Sequence, residues 1–397
     1  MNLEPRHGAP DDGERSSRRR VAVFASGRAD IWPLRPVLQG AWRRQDLEIT
    51  MIAPRRLHET SAILDAEQRV RTHVFETGLD RTDTPQSLLT YATRCGAEVG
   101  IVLSEQHPDL LMVVGDRFEL LPVATAALLN GVPIVHLSGG EITAGVIDDS
   151  VRHAVTKLAH LHLCATEEYA ARVRSLGEEP WRVQVTGEPS IDRLAGEAQA
   201  IDREQLEKRL GLALVPPVGI LTYHAPTLNP ERLVDELSAC FAATEPLRTV
   251  VITHPGPDPG AWAIRERLRS FANAREGALL VETLGALFAP LLATADVMIG
   301  NSSSGIIEAA TFGLPVVNVG DRQQGRTRPE GVIDVPGDPA RALAAVQRAL
   351  DPGYRGRLYG LPNPYGDGHA VDRVLTAIVE APLDRLLRKR FVDPPPA

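Results

Sequence analysis

The chain has 397 residues, 43% of them hydrophobic and 24% charged, with a formal net charge of −8. Two domains with full cores are expected at this length. The acidic balance excludes a general nucleic-acid or anionic-membrane binder, so any phosphate site must be a local basic pocket.

The first residues, 1–20, are polar, lack the apolar segment of a secretory signal, and read as a disordered tail. Strands are predicted at 21–25, 47–53, 70–76, 110–115, 132–137, 161–165 and 183–185. Helices are predicted at 32–43, 85–106, 118–130, 149–158 and 167–176. A charged helix over 197–210 then leads into Val215-Pro216-Pro217, which places a domain junction near residue 195. A second series of strands follows at 218–222, 249–253, 279–282, 297–299, 315–319 and 332–335, and a last helix at 369–389. Short continuous apolar runs between amphipathic helices specify parallel sheets covered on both faces. The fold class is therefore α/β, with two Rossmann-like doubly wound domains at 21–195 and 196–368. The segment 369–391 is a C-terminal helix expected to pack back toward the first domain. The cleft between the halves should hold the ligand and close by hinge motion. No apolar run is long enough to span a bilayer. Cys95, Cys164 and Cys240 have no metal or redox spacing, so buried free thiols in a cytoplasmic protein are expected.

The stretch from Val297 to Arg328 carries the clearest binding signal. An apolar strand turns through Gly300 and Asn301 into three serines, and a helix starts with Ser302 or Ser303 as its cap. Unpaired N–H groups and the dipole at such an end suit phosphate. Glu308 lies about one turn further in, where a carboxylate can accept from ribose hydroxyls, and Arg322, Arg326 and Arg328 follow in a Gly-rich loop. This is a nucleotide-sugar site, or an ordinary strand–helix–strand unit with polar caps. In the first half, Asp116, Glu141, Asp148 and Asp149 stand after strands; together they could do acid–base work, and singly each could cap a helix. His224 and His254 end strands of the second half, and His136 and His153 lie in the first. No histidine pair has a metal-binding spacing, so no metal is expected. Arg28 and Arg117 could reach a distal phosphate or pair with Asp30 or Glu119.

Four segments resemble the hydrolysing UDP-N-acetylglucosamine 2-epimerases of the sialic-acid and legionaminic-acid pathways. They are GDRFELLPVATAALLNGVPIVHLSGGEITAGVIDDSVRHAVTKLAH (115–160), GNSSSGIIEAATFGLPVVNVGDRQQGR (300–326), GRAD (27–30) and NPYGDG (363–368). The resemblance spans nearly the whole ordered chain. It implies the GT-B architecture. It also implies loss of UDP by abstraction of the C2 proton, a 2-acetamidoglucal intermediate, and addition of water to give N-acetylmannosamine and UDP. No metal or nicotinamide cofactor is implied, and a homo-oligomer, dimer or tetramer, is. Carried residue by residue, Asp116 matches the first catalytic acid, Asp148 with Asp149 the downstream acid, and His224 the histidine assisting departure of the nucleotide. Arg28 and Arg117 match phosphate-binding arginines, while Ser302, Ser303, Glu308 and Arg322 match the UDP site. Three positions depart from the pattern. Ser138 stands where many members have a catalytic glutamate, which Glu141 could replace. Pro33 stands where many have lysine, and Ala225 separates His224 from Pro226. Ser138 also fits a subfamily acting on a 2,4-diacetamido-6-deoxy sugar. A non-hydrolysing epimerase, a GT-B glycosyltransferase and a UDP-sugar-binding regulator are the competing readings.

Overall fold

The computed structural model describes residues 18–55, 71–77, 84–256 and 260–393, apart from the side chains of Arg28 and Ala29. The first domain has strands β1 (Arg19–Phe24), β2 (Leu47–Pro54), β3 (Arg71–Phe75), β4 (Leu110–Val114), β5 (Ile134–Leu137), β6 (Leu161–Cys164) and β7 (Val183–Val185). Its helices are α1 (Arg28–Trp42), α2 (Pro85–Gln106), α3 (Leu120–Leu129), α4 (Asp148–Leu158) and α5 (Glu167–Ser175). Two short helices, α6 (Leu194–Gln199) and α7 (Arg203–Leu210), lead to the second domain. There the strands are β8 (Val218–Thr222), β9 (Thr249–Thr253), β10 (Ala278–Val281), β11 (Val297–Gly300), β12 (Val316–Val319) and β13 (Val332–Val335). Helices α8 (Leu233–Ala243), α9 (Ala261–Asn273), α10 (Phe288–Thr294), α11 (Ser303–Ile307) and α12 (Pro339–Ala349) alternate with them. The chain closes with α13 (Pro352–Leu358), α14 (Ala370–Glu380) and α15 (Leu383–Leu386).

Both sheets are parallel. The strand orders are β3-β2-β1-β4-β5-β6-β7 and β10-β9-β8-β11-β12-β13. The winding reverses between β1 and β4 in one sheet and between β8 and β11 in the other. Loops diverge at such switch points and leave a crevice at the carboxyl ends of the strands. The central strands β4, β5, β6, β8 and β11 are buried along their whole length, because helices cover both faces.

Three elements differ from the sequence-based expectation, each for a local reason. β1 begins at Arg19, so Arg19 and Arg20 belong to the sheet and not to a tail. The Arg20 N–H donates to the Asp109 carboxylate at 2.8 Å, and the Arg19 guanidinium donates to the carbonyls of Val379 and Ala381 at 2.6 and 3.1 Å. Residues 1–17 lie outside the described residues. The helix expected over 197–210 is broken into α6 and α7, because Asp202 accepts from the Gln205 N–H and caps the second piece. The last helix breaks before Leu383, since Pro382 has no N–H to continue it. Val374, Leu375, Ala377 and Ile378 of α14 share one core with Leu34, Val37 and Leu38 of α1 and Val21 and Val23 of β1.

Candidate active site

The first-domain half of the site is built on neighbouring strand ends. At the end of β4 the chain turns through Gly115, at φ 72°, into Asp116. His136 of β5 holds that turn: its Nε2–H donates to the Gly115 carbonyl at 2.8 Å, and its Nδ1 faces the Thr156 hydroxyl at 3.2 Å. Complete burial pushes His136 down to about 4, so the ring is neutral and works as a brace. Asp116 forms an ion pair with the guanidinium of Arg152, a buried residue of α4. Arg152 Nη1 also donates to the Glu141 carbonyl at 3.1 Å and the Thr143 hydroxyl at 3.0 Å. Asp149 accepts from the Thr143 N–H at 2.6 Å and lies 3.5 Å from Arg152 Nη1 and 3.6 Å from His153 Nε2. It ties the Gly-rich loop to the start of α4. Asp148 is the half-buried first residue of that helix.

Ser138 opens the Gly-rich loop in the left-handed region, at φ 62°. Its N–H donates to the Leu163 carbonyl at 2.9 Å, and its hydroxyl donates to Glu188 Oε2, also at 2.9 Å. Glu188 follows β7 and is buried. Further along the loop, buried Glu141 pairs with Arg326 of the second domain at 2.7 Å. The loops of the two domains touch directly. The Ala144 N–H donates to the Gln324 carbonyl at 3.0 Å. Gly145 sits so close to Arg322 that a Cβ there would lie 2.8 Å from the Arg322 Cα, so only glycine fits without moving the backbone.

In the second domain, Ser302 caps α11, its hydroxyl accepting from the Ser304 N–H at 3.3 Å, and Ser303 is the first helical residue. The helix is shorter than the sequence suggests: one turn, then a 3₁₀ turn over Ala309–Phe312 ended by Gly313 at φ 59°. Glu308 lies at the junction of the two, buried, with one oxygen accepting from the Ser190 hydroxyl at 2.8 Å. Asn301 gathers the rest. Its Oδ1 accepts from the His224 N–H at 2.7 Å and its Nδ2 donates to the His224 carbonyl at 2.9 Å. Its own carbonyl accepts from Arg322 Nη1 at 3.3 Å and Gln323 Nε2 at 2.8 Å. The structure thus brings Asp116, Glu141 and Asp149 together around Arg152, and His224, Ser302 and Arg322 together around Asn301. His254 stands apart, one strand further out, 3.6 Å from Glu282. Arg117 donates to fully buried Glu119 at 2.7 Å. Arg28 opens α1, and its side chain lies outside the described residues.

Two residues that the sequence does not single out, Arg152 and Glu188, complete the cluster together with Arg326 of the basic Gly-rich loop. Glu141, Glu188 and Glu308 come from three separate segments and repel one another. Burial pushes all three up, and for Glu188 the neighbouring Glu141 and Glu308 add to it, bringing it to about 8. Among the described residues Arg326 forms its ion pair with Glu141, and its charge also attracts Glu308 and Glu188. Several buried atoms facing this cluster make no hydrogen bond among the described residues: Glu141 Oε1, Glu308 Oε2, and Arg326 Nε and Nη1. Buried polar atoms are nearly always paired, so such a group marks a place where a polar ligand would complete the bonding.

Residues 44–379 match the family described as UDP-N-acetylglucosamine 2-epimerase. The chain belongs to this family. It is 32% identical to the GDP/UDP-N,N'-diacetylbacillosamine 2-epimerase (hydrolyzing) of Campylobacter jejuni, over 80% of this chain and 84% of that protein. It is 30% identical to the UDP-N,N'-diacetylbacillosamine 2-epimerase (hydrolyzing) of Legionella pneumophila, over 92% and 97%. It is 27% identical to the UDP-N-acetylglucosamine 2-epimerase of Neisseria meningitidis, over 84% and 88%. Among solved structures, the Staphylococcus aureus MnaA–UDP complex superposes with a TM-score of 0.74 at 18% identity, covering 95% of this chain and 100% of that one. The fold is therefore the GT-B-like pair of domains of these UDP-sugar 2-epimerases. As a member of the family the protein is an enzyme of that class. No helix among the described residues is long and apolar enough to cross a membrane.

Proposed function

We propose that the protein is a hydrolysing 2-epimerase. It eliminates UDP from a UDP-linked 2-acetamido sugar through a 2-acetamidoglucal intermediate and adds water, releasing the free 2-epimer and UDP. The observation that carries this reading is the set of buried, incompletely bonded carboxylate and guanidinium atoms where the two domains meet. A nucleoside diphosphate sugar offers both hydroxyl donors and anionic oxygens to such a set.

The C2 proton is a very weak acid, so elimination needs a positioned base and charge neutralisation on the leaving diphosphate. Asp116 is the base in this reading, held in place by Arg152. The Ser302 and Ser303 end of α11 and Arg322 take the diphosphate, with Arg28, Arg117 and His254 as outer cationic or hydrogen-bonding groups. The second oxygen of Glu308 takes the ribose hydroxyls, and His224, fixed by Asn301, assists departure of UDP. Glu141 in the Gly-rich loop and Asp148 and Asp149 at the start of α4 shape the approach to Arg152, the partner of Asp116. The substrate is UDP-N-acetylglucosamine, giving N-acetylmannosamine, or its 2,4-diacetamido-2,4,6-trideoxy counterpart. The diacetylbacillosamine names of two relatives near 30% identity, together with Ser138, favour the second sugar as the one to try first.

Each sugar nucleotide is incubated with the protein in D₂O and followed by NMR. Free UDP with a C2-deuterated free epimer is expected. A product still linked to UDP overturns hydrolysis; absence of turnover despite UDP binding overturns the epimerase reading in favour of a transferase or regulator. Asp116→Asn should bind UDP as well as the wild type but turn over about 10²–10⁴-fold more slowly. Unchanged turnover would remove Asp116 from the mechanism.

A further inference from the structure

Inverting C2 by elimination and hydration removes a proton from one face of the sugar and returns one to the other. Two proton-carrying groups are needed, and before the reaction their protonation states must be opposite. Asp116, ion-paired with Arg152, suits the acceptor. Resting on that reading of the reaction, we propose that Glu188 and Ser138 are the opposing donor pair: the Glu188 carboxyl supplies, through the Ser138 hydroxyl, the proton that enters C2.

The placement supports this. β4 and β5 are paired with Val114 opposite Leu137, so Asp116 and Ser138 emerge from neighbouring strands at the same edge of the sheet. Ser138 is half-buried and Glu188 is 4% exposed, so the hydroxyl is the part a ligand would reach and the carboxyl stands behind it. Their separation is 2.9 Å. Ser138 also occupies a backbone conformation that favours glycine. Glycine would relieve that strain but would lose the hydroxyl, which indicates that the hydroxyl has a use. The charged groups facing Glu188 are Glu141 from the loop after β5, Glu308 from the end of α11 and Arg326 from the loop after β12. Arg326 is bonded to Glu141. Glu188 therefore meets two like charges and forms no ion pair among the described residues, and the attraction of Arg326 is shared with Glu141. Hydrogen bonds from Ser138 and from the Ser190 backbone do not outweigh burial, and Glu188 sits at about 8, holding its proton at neutral pH.

When Glu188 holds its proton the 2.9 Å hydrogen bond reverses, the Glu188 O–H donating to Ser138 Oγ and the Ser138 hydroxyl hydrogen turning to the substrate. In the hydration step the Glu188 O–H bond breaks and its proton passes to Ser138 Oγ, while the Ser138 hydroxyl proton passes to C2. The C1=C2 electron pair becomes the new C2–H bond. The water that bonds C1 gives its second proton to the departed diphosphate. Glu188, left as carboxylate, regains a proton through solvent as Asp116 loses the one it took from C2.

The test is the pH dependence of turnover for the wild type, E188Q, S138A and the double variant, with UDP affinity and melting temperature measured alongside. The wild-type rate should fall as pH rises through about 8. E188Q and S138A should each lose about 10²-fold or more. The double variant should be no worse than either single one, because the pair acts as a unit. E188Q should also lose the alkaline limb while UDP affinity holds. Retained turnover in E188Q, or an unmoved alkaline limb, overturns the donor assignment alone. A fall in melting temperature with the limb intact assigns Glu188 a structural role and overturns it too. No turnover by the wild type on either sugar overturns the reaction, and the assignment with it.

Discussion

Glu178 and Glu188 are buried glutamates on either side of β7, and their surroundings drive them in opposite directions. Glu178 lies before the strand, where it accepts from Lys157 Nζ at 2.6 Å and Lys389 Nζ at 2.9 Å and lies 3.0 Å from His162 Nε2. Burial alone would push it up, but these partners hold it down at about 2. Glu188 lies after the strand and faces Glu141 and Glu308, which add to its burial and bring it to about 8. The first end of the strand satisfies its charge; the second accumulates unsatisfied ones. That is the division expected of a parallel sheet, whose carboxyl edge carries the chemistry and whose amino edge carries stability. It also ties the end of the chain to the amino edge, since Lys389 donates to the carbonyls of Lys157 and Ala159 as well.

The largest expected effect breaks the stabilising end. Glu178→Ala leaves two ammonium groups without their shared carboxylate and should cost about 3 kcal/mol, the lower part of the range for breaking a buried pair, because Lys157 is partly exposed. Urea denaturation at neutral pH measures it, and a loss under about 1 kcal/mol would mean that the pair is not what holds this edge. The sign in pH follows from the depressed value. Glu178 binds its proton more weakly folded than unfolded, so its contribution is present above the ordinary carboxyl range. It is lost as pH falls from there toward about 2.

The next effect runs the other way. Glu188 binds its proton more tightly folded than unfolded, so its contribution is greatest below the ordinary carboxyl range. It declines as pH rises from there to about 8. Glu188→Gln removes this penalty and should stabilise the protein at neutral pH by about 2–3 kcal/mol, while it impairs turnover. The gain should shrink to nothing in mild acid. A variant that is destabilised at both pH values would show that Glu188 is a structural residue like Glu178.

Much of this contrast was open to sequence reading, and part of it was not. The two sheets follow from short apolar runs alone, and the breaks at Asp202 and Pro382 follow from ordinary capping and proline rules that act on single residues. Asp116, Glu141 and Glu308 stand in strand-end or post-serine positions that suggest their placement near a cleft. Glu188 also follows a strand, in Thr186-Gly187-Glu188-Pro189, but what distinguishes it is the company of two carboxylates from distant segments. Only packing brings those three together. Arg152 is hidden for a similar reason: inside an amphipathic helix, nothing local indicates that its guanidinium turns toward the end of β4. Arg117 shows the converse, where a nearby carboxylate, Glu119, was one of two partners the sequence offered, and the buried one at that.

The smallest expected effect tests whether like-charge repulsion sets the state of Glu188. Ser190 stands between Glu188 and Glu308, its hydroxyl donating to Glu308 and its backbone facing Glu188. Ser190→Ala removes one hydrogen bond from Glu308, which should cost about 1 kcal/mol. Glu308 is already pushed up by burial, and without that bond it holds a proton more readily. A neutral Glu308 no longer repels a charge on Glu188, so the two titrations are coupled and Glu188 should ionise more easily. The alkaline limb of turnover should therefore move to lower pH, by less than one unit, while the stability of the Glu178 edge stays unchanged. A limb that stays in place would mean that burial alone sets the state of Glu188, and that the approach of the three carboxylates is incidental to it.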